Sequence, residues 1–294
     1  MPSFTICSVE GCRLPALFHT DRCRQHLPDP ARYFQRLPPS LTAAAGANLA
    51  CVDLRHAEIR DGQLADAILT GALLDGTHIS QSELVRSCWH GASARGAHFT
   101  EVDAAGIDAS GAIFAGTQWL HARLDDGCFI GSLWESAELH GVELVCADLT
   151  RADLRQAILR QCSLTEAWLV EAELSEATLD GCDLSWAVLA GVRGSGLSLG
   201  RTALANTNFV GAVLDGANLA EVVGEQARFS AASLTGAVFT DAQLQRAVFR
   251  EADLRSADLR GADLRGAILE RANLEGAVLD GANLDGANLN GAIR

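Results

Sequence analysis

Residues 261–294 read GADLRGAILERANLEGAVLDGANLDGANLNGAIR, nearly the same five letters repeated to the last residue. Stepping outward by five from Leu54 meets Ile59, Leu64, Leu69, Leu74, Ile79 and Leu84, and later Leu254, Leu259, Leu264 and Leu269. The phase holds from Leu49 to Leu289 without insertion or deletion, and most of these centres are Leu, Ile or Phe. Two residues before each centre stands a smaller residue: Ala47, Val52, Ala57, Ala67 and Ala72, then Ala252, Ala257, Ala262 and Ala267. Asp, Asn or Glu often separates the two, and Gly often follows the centre by two.

A period of five matches neither the 3.6 residues of a helix nor the 2.0 of a strand. On a helix it would smear the apolar residues around the whole surface. The step must instead return the chain to an equivalent corner of a wider coil, so the pattern predicts a solenoid.

Runs such as ADLRGADLRGAILERANLEGA resemble the pentapeptide-repeat family, whose word is A(D/N)LXX, and the resemblance covers residues 47–294. It implies an all-β solenoid, a right-handed quadrilateral β-helix of about twelve coils with four words per coil. Central residues point inward and the small residue fills the corner. At a coil spacing of about 4.8 Å the rod would be roughly 58 Å long.

Residues twenty apart should then stack. Arg250, Arg255, Arg260 and Arg265 would meet Glu270, Glu275, Asp280 and Asp285; Arg55 would meet Asp75, and Arg160 would meet Asp180. Phe209, Phe229 and Phe249 should form one aromatic stack. Ala94, Ala104 and Ala109 are small for centres and lie in the coils of Trp89 and Trp119. Cys162 and Cys182 read as corner fillers rather than a redox pair. Gly194 and Gly224 leave centres empty beside an oversized Leu197, which makes residues 189–200 the expected bend.

Residues 1–46 do not follow the word. They contain Cys7-x4-Cys12-x10-Cys23-x2-His26, spaced as a tetrahedral metal shell requires. So short a segment buries little apolar surface, and a structural zinc would supply the missing folding energy. The segment resembles small treble-clef-like or knuckle zinc motifs, with His19 as a substitute ligand; an ordinary cap with reduced cysteines is the plain alternative. Asp29 caps a short helix that Pro38–Pro39 stops. Tyr33, Phe34 and Leu37 would cover the first coil. The chain thus divides into a zinc-binding-like cap with a short helix, 1–46, and a β-helix, 47–294.

No comparable cap follows Leu289. The apolar end of Leu274, Leu279, Leu284 and Leu289 either stacks on a twin, giving a homodimer through the C-terminal coils, or is kept wet by Arg294 and its carboxylate; a truncated chain would also leave it open.

The 294 residues carry a net charge of −14, with arginine the only strong cation, which argues against direct nucleic acid or anionic-lipid binding. Neither a signal peptide nor an apolar run of membrane-spanning length is found, and nine cysteines read as thiols or metal ligands, so a cytoplasmic location is expected. Histidines at 56, 78, 90, 98, 121 and 140 scatter over outward positions, and no nucleophile elbow, phosphate loop or HExxH occurs. An enzyme is not expected.

The function must lie on the surface. Beyond residue 46, 18 arginines face 34 acids, a net of −16. Asp61, Glu83, Glu101, Asp103, Glu143, Asp183, Glu221, Asp241 and Asp263 fall near one corner of the twenty-residue grid. This is similar to quinolone-resistance members of the family, dimeric DNA mimics that bind DNA gyrase, a type II topoisomerase; surface solvation explains the same acids, and the unbroken phase leaves no room for the loops some of those members carry. The alternative is a scaffold or adaptor binding another protein through the zinc cap or an exposed apolar strip of Trp168, Val188, Val248 and Ile268, with Ile113 and Leu133 as a second pair.

Overall fold

A computed structural model describes residues 6–13, 16–30, 32–33 and 37–294, so Phe34 of the expected plug lies outside the described residues. Among the described residues the elements include 3-10 turns at Arg24–His26 and Pro38–Ala43, then six three-residue strands: β1 Glu58–Arg60, β2 His78–Ser80, β3 His98–Thr100, β4 Gln118–Leu120, β5 Glu138–His140 and β6 Ile158–Arg160. The strands form one parallel sheet in chain order, each residue paired with the one twenty later. Single-residue parallel bridges keep that register on the other faces, from Asn48↔Ile68 to Asn273↔Ile293. The chain is a β-solenoid.

The expected run of about twelve like coils needs correction. Regular strand persists for only five twenty-residue steps, from Glu58 to Arg160, where each strand runs into an open bend. Beyond it that corner closes: the Leu179 carbonyl accepts the Cys182 N–H at 3.2 Å, and pairing continues through isolated bridges. A closed turn leaves fewer residues extended, so the strand shortens to one residue.

The five-residue period is a turn period. Every fifth residue from Gly46 to Gly291 has a positive φ, and glycine holds 22 of these 50 positions. At a typical corner the centre's carbonyl accepts the N–H three residues on, as from Ala257 to Leu254 at 3.1 Å. A positive φ at the third residue makes this a type II turn, which explains why glycine follows the centre by two.

Centres and small residues form one continuous core from Leu37 to Leu274. Phe209, Phe229 and Phe249 stack at 5.0 Å with near-parallel rings. Trp89, Trp119 and Trp134 are fully buried among Phe99, Phe114 and Phe129, with Phe99 on Trp119 at 3.8 Å. Each indole N–H meets the hydroxyl two residues earlier: Trp89 to Ser87 at 2.9 Å, Trp119 to Thr117 at 3.0 Å, Trp134 to Ser132 at 2.7 Å. A tryptophan centre thus comes with Ser or Thr at the small position, because a buried indole needs an acceptor.

Gly194 does not interrupt the ladder, since Arg193 bridges both Glu173 and Val213. A Cβ on Gly194 would meet Leu197 and Leu214 side chains at 3.1 Å, so the oversized corner residue fills the empty centre. The pairing runs unbroken through 189–200 where a bend was expected. Cys162 and Cys182 are buried, and each bonds a backbone carbonyl one coil back at 3.5 Å. The neighbouring Cys162 sulphur, with burial, pushes the Cys182 thiol up and keeps it neutral.

Most of the expected coil-to-coil ion pairs do not form. Arg250 reaches Glu270 at 3.1 Å, but Arg255 takes Asp253 and Arg265 takes Asp263, both at 2.6 Å, and Arg260 takes Asp258 at 2.5 Å. Arg55 likewise takes Asp53 at 2.7 Å, while Asp180 accepts from Ser198 and the Gly200 N–H instead of Arg160. The reason is local. Residues two apart in an extended word share a face, so an aspartate just before the centre captures the arginine just after it. Arg250 crosses the coil because Val248 stands in the aspartate's place.

Candidate metal centre and outer faces

Two tight turns bring the four N-terminal ligands together. The first spans Val9 to Cys12, whose N–H reaches the Val9 carbonyl at 3.0 Å, with Gly11 at φ 78°. The second is the Arg24–His26 3-10 turn, closed by the His26 N–H on the Cys23 carbonyl at 3.0 Å. The Ser8 N–H on the Asp21 carbonyl, 2.8 Å, joins the two arms.

The ligand atoms of Cys7, Cys12, Cys23 and His26 all lie within 4.8 Å of one another. His26 Nδ1 is 3.4 Å from Cys7 Sγ and 3.2 Å from Cys23 Sγ, and the Cys12 and Cys23 sulphurs are 3.8 Å apart. A four-coordinate ion about 2.3 Å from each sulphur would set such sulphurs about 3.8 Å apart, so the donor set fits a metal and can hold one. Burial raises the Cys7 thiol, but amide donors from Cys23 and Val9 and the His26 ring outweigh it and bring it to about 6. The expected substitute, His19, is exposed, lies against Phe18 and is outside the cluster.

The metal-binding arm is tied to the solenoid. Asn48 Nδ2 donates to the Ala16 carbonyl at 2.8 Å, the Phe18 N–H to the Asn48 carbonyl at 2.9 Å, and the Tyr33 hydroxyl to the Phe18 carbonyl at 2.6 Å. Burial pushes the Tyr33 hydroxyl up to about 12. Asp29 starts the following turn by accepting the Arg32 N–H on Oδ1 at 3.0 Å. Leu37, Leu41 and Ala44 are buried in the core, and Leu41 and Ala44 exchange backbone bonds with Gln63.

The nine acids expected at one corner fall in two columns of the grid. Glu83, Asp103 and Glu143 stand in one bridged column that also holds Asp183 and Asp263; Asp61, Glu101, Glu221 and Asp241 share the turn column two residues earlier. The stripe is interrupted. Arg123 sits between Asp103 and Glu143 and pairs with Asp103 at 3.2 Å, Asp263 is held by Arg265, and His121 and Arg201 occupy the turn column. Asp61 is 4.0 Å from Arg60, and Glu101 accepts from Gln81. Glu83, Glu143, Asp183, Glu221 and Asp241 form no salt bridge with an arginine among the described residues, although Arg123 lies near enough to Glu143, and Arg260 to Asp241, for their charges to interact.

The apolar strip is also discontinuous. Trp168 bridges Val188 and Val248 bridges Ile268, but Asn208 and Arg228 stand between the two pairs. Ile113 and Leu133 are bridged on another face. Sequence reasoning missed Trp186, 59% exposed, because it occupies a turn position rather than a strand position. A tryptophan in a turn column otherwise filled by glycine and mainly polar residues is the signal that would have found it. At the far end Leu274 is buried, whereas Leu279, Leu284 and Leu289 are only partly covered.

Among the outward histidines, His78 stacks on His98 at 4.5 Å and faces Glu58 at 3.2 Å, and His121 lies 5.7 Å from His140, ring to ring. No helix among the described residues is long and apolar enough to cross a membrane.

The sequence model of pentapeptide repeats matches in eight copies, over residues 120–156, 157–193, 225–261 and 257–293. Among solved structures the chain is similar to HetL, a pentapeptide repeat protein involved in heterocyst differentiation regulation from the cyanobacterium Nostoc, at 28% identity over 82% of this chain and 89% of that one, TM-score 0.36. It is also similar to QnrB1, a plasmid-mediated fluoroquinolone resistance protein, at 18% identity over 75% and 90% of the two chains, TM-score 0.28. A pentapeptide repeat protein of the Arabidopsis thaliana thylakoid lumen is 30% identical over 35% of this chain and 65% of that one, TM-score 0.21. No curated protein matches. With the five-residue turn period and the twenty-residue register already established, the chain belongs to the pentapeptide-repeat family.

Proposed function

We propose that the protein is a non-enzymatic, cytoplasmic interaction rod with a structural zinc cap, and that its acidic corner engages the basic DNA-binding surface of a protein such as DNA gyrase. The observation that carries this reading is the set of corner carboxylates held in no arginine salt bridge among the described residues, Glu83, Glu143, Asp183, Glu221 and Asp241, on a chain of net charge −14. Such a surface attracts a cationic saddle over long range and repels nucleic acid itself. Nine free cysteines suit a reducing compartment. Three thiolates and an imidazole at tetrahedral separations favour zinc, and with four protein ligands its role is structural. The partly covered end of Leu279, Leu284 and Leu289 suits pairing with a second copy.

The test is a gyrase supercoiling titration with and without a quinolone. Inhibition or drug protection at about micromolar protein, lost when Glu83, Glu143 and Asp183 are changed to lysine, supports the reading. Activity unchanged at any protein concentration removes gyrase as the partner. Metal analysis tests the cap: wild type should carry one zinc, and Cys23→Ser should lose it and expose residues 1–46 to proteolysis.

A second reading is favoured by Trp168, 54% exposed beside Val188. Here the rod is a scaffold or adaptor that holds an unidentified protein against the strip or the zinc cap. Trp168→Ala would abolish partner capture and leave any gyrase effect intact.

A further inference from the structure

Between Trp186 and Val248 the outer surface forms an open groove of about 700 Å³. Its chemistry differs from the rest of the rod. In a chain with 37 acids, no carboxylate lines it; the polar wall consists of Asn206, Asn208, Gln226, Arg228 and Arg246. Asn208 and Arg228 are directly paired between coils, and Asn206 and Gln226 occupy successive turn positions, so an amide or guanidinium recurs at each step of about 4.8 Å. The Asn208 carbonyl oxygen accepts the Val210 N–H at 3.1 Å, which fixes its amide with the NH2 group outward. Arg246 is steadied by Glu225 at 3.3 Å. Asn206, Gln226 and Arg228 make no side-chain hydrogen bond among the described residues.

Trp186 closes one end at φ 64°, a backbone region that a bulky side chain occupies only under strain and that glycine fills at 22 of the 50 equivalent corners. Twenty-seven other non-glycine residues share this turn conformation, so what sets Trp186 apart is its largely exposed aromatic ring.

We infer that this groove binds an uncharged, extended oligosaccharide. The indole of Trp186 offers an apolar platform for the C–H face of a sugar ring. The ladder of amides and guanidinium offers planar donors to the hydroxyl pairs of successive sugars, at a coil spacing comparable to the advance per sugar in an extended glycan. An aromatic ring beside arginines also suits single-stranded nucleic acid, but a net charge of −14 repels a polyanion and leaves a neutral ligand unaffected.

The experiment titrates the full-length protein with cellohexaose, chitohexaose, xylohexaose and mannohexaose, following tryptophan fluorescence and calorimetry. At least one should bind saturably with a dissociation constant below about 1 mM. Trp186→Gly should weaken that binding at least about tenfold while the unfolding midpoint stays level or rises, because the backbone strain is relieved. Arg228→Ala, whose side chain makes no hydrogen bond among the described residues, should weaken it independently, and Glu83→Gln should not. The inference is overturned if none of the four sugars binds, if Trp186→Gly and Arg228→Ala both bind like wild type, or if the groove proves to hold an oligonucleotide or a protein in preference to all four.

Discussion

The coils from Glu58 to Arg160 and those from Leu179 to Leu269 obey one five-residue rule but fill it differently. The first stretch concentrates three tryptophans and three phenylalanines in its core and compensates with alanine centres at Ala94, Ala104 and Ala109. The second is mainly leucine, with one column of phenylalanines that Phe239 meets edge-on at 5.9 Å. The first runs strands into open bends; the second closes every corner. What the rule constrains is the volume shared by neighbouring coils, not the letter at each centre, as in other stacked repeats whose stability sums unit and interface contributions.

The strongest way to break this comparison is to empty the larger core. Trp119→Ala should cost about 3–5 kcal/mol in equilibrium unfolding, with Leu219→Ala in the second stretch toward the lower end of about 2–5 kcal/mol, because surrounding leucines collapse more readily than a stacked Phe99 can. Equal losses would mean that the two cores relax alike.

Next comes satisfaction of buried indole N–H groups, which only the first stretch contains. Ser132→Ala orphans the Trp134 indole N–H and should cost about 1–3 kcal/mol, whereas Ser132→Thr should be nearly silent. Differential denaturation of the two variants measures it.

Volume sharing can be tested within the second stretch. Gly194→Leu should cost about 1–3 kcal/mol by overpacking and Leu197→Ala about 2–4 kcal/mol by leaving a void. The double variant restores the common spelling and should recover most of both, a non-additivity that a double-mutant cycle reads directly.

The smallest effect is electrostatic. Bonds from the Arg260 and Arg265 guanidinium groups hold Asp258 and Asp263 down to about 2, below the usual carboxylate range. A depressed folded-state value means that the unfolded chain takes up protons first. The contribution is therefore complete above about pH 4 and lost as pH falls toward 2. Asp258→Asn should change stability by no more than about 0.5 kcal/mol at neutral pH and flatten the acid limb of a pH titration.

The fold was legible because its signal is repeated: the centres, the small positions and the stacked Phe209, Phe229 and Phe249 all follow from one phase. The cluster of Cys7, Cys12, Cys23 and His26 was legible from spacing alone, because short loops force such ligands together. The ion pairs were not. An arginine can reach either the residue two before it or the one twenty after, and the grid does not rank the two; the outcome turns on whether Asp or Val precedes the centre, as at Asp263 and Val248. The groove at Trp186 was hidden for a related reason. Val188 and Val248 were legible as part of the apolar strip, but Trp186, Asn206, Gln226 and Arg246 lie in a turn column otherwise of glycine and mainly polar residues, and only the assembled face shows that acids are missing from it.

The unbroken twenty-residue register has a consequence for how such a chain can change over generations. Gain or loss of twenty residues lengthens or shortens the rod and leaves each side chain on the face it had. Gain or loss of one five-residue word preserves the core equally well, yet swings everything downstream through a quarter turn. The acids of one corner would then continue on the next face, and Trp186 would look out over a different side from Trp168. Small in-frame length changes thus act as a rotary adjustment, redistributing surface features among the faces while the interior barely registers the event.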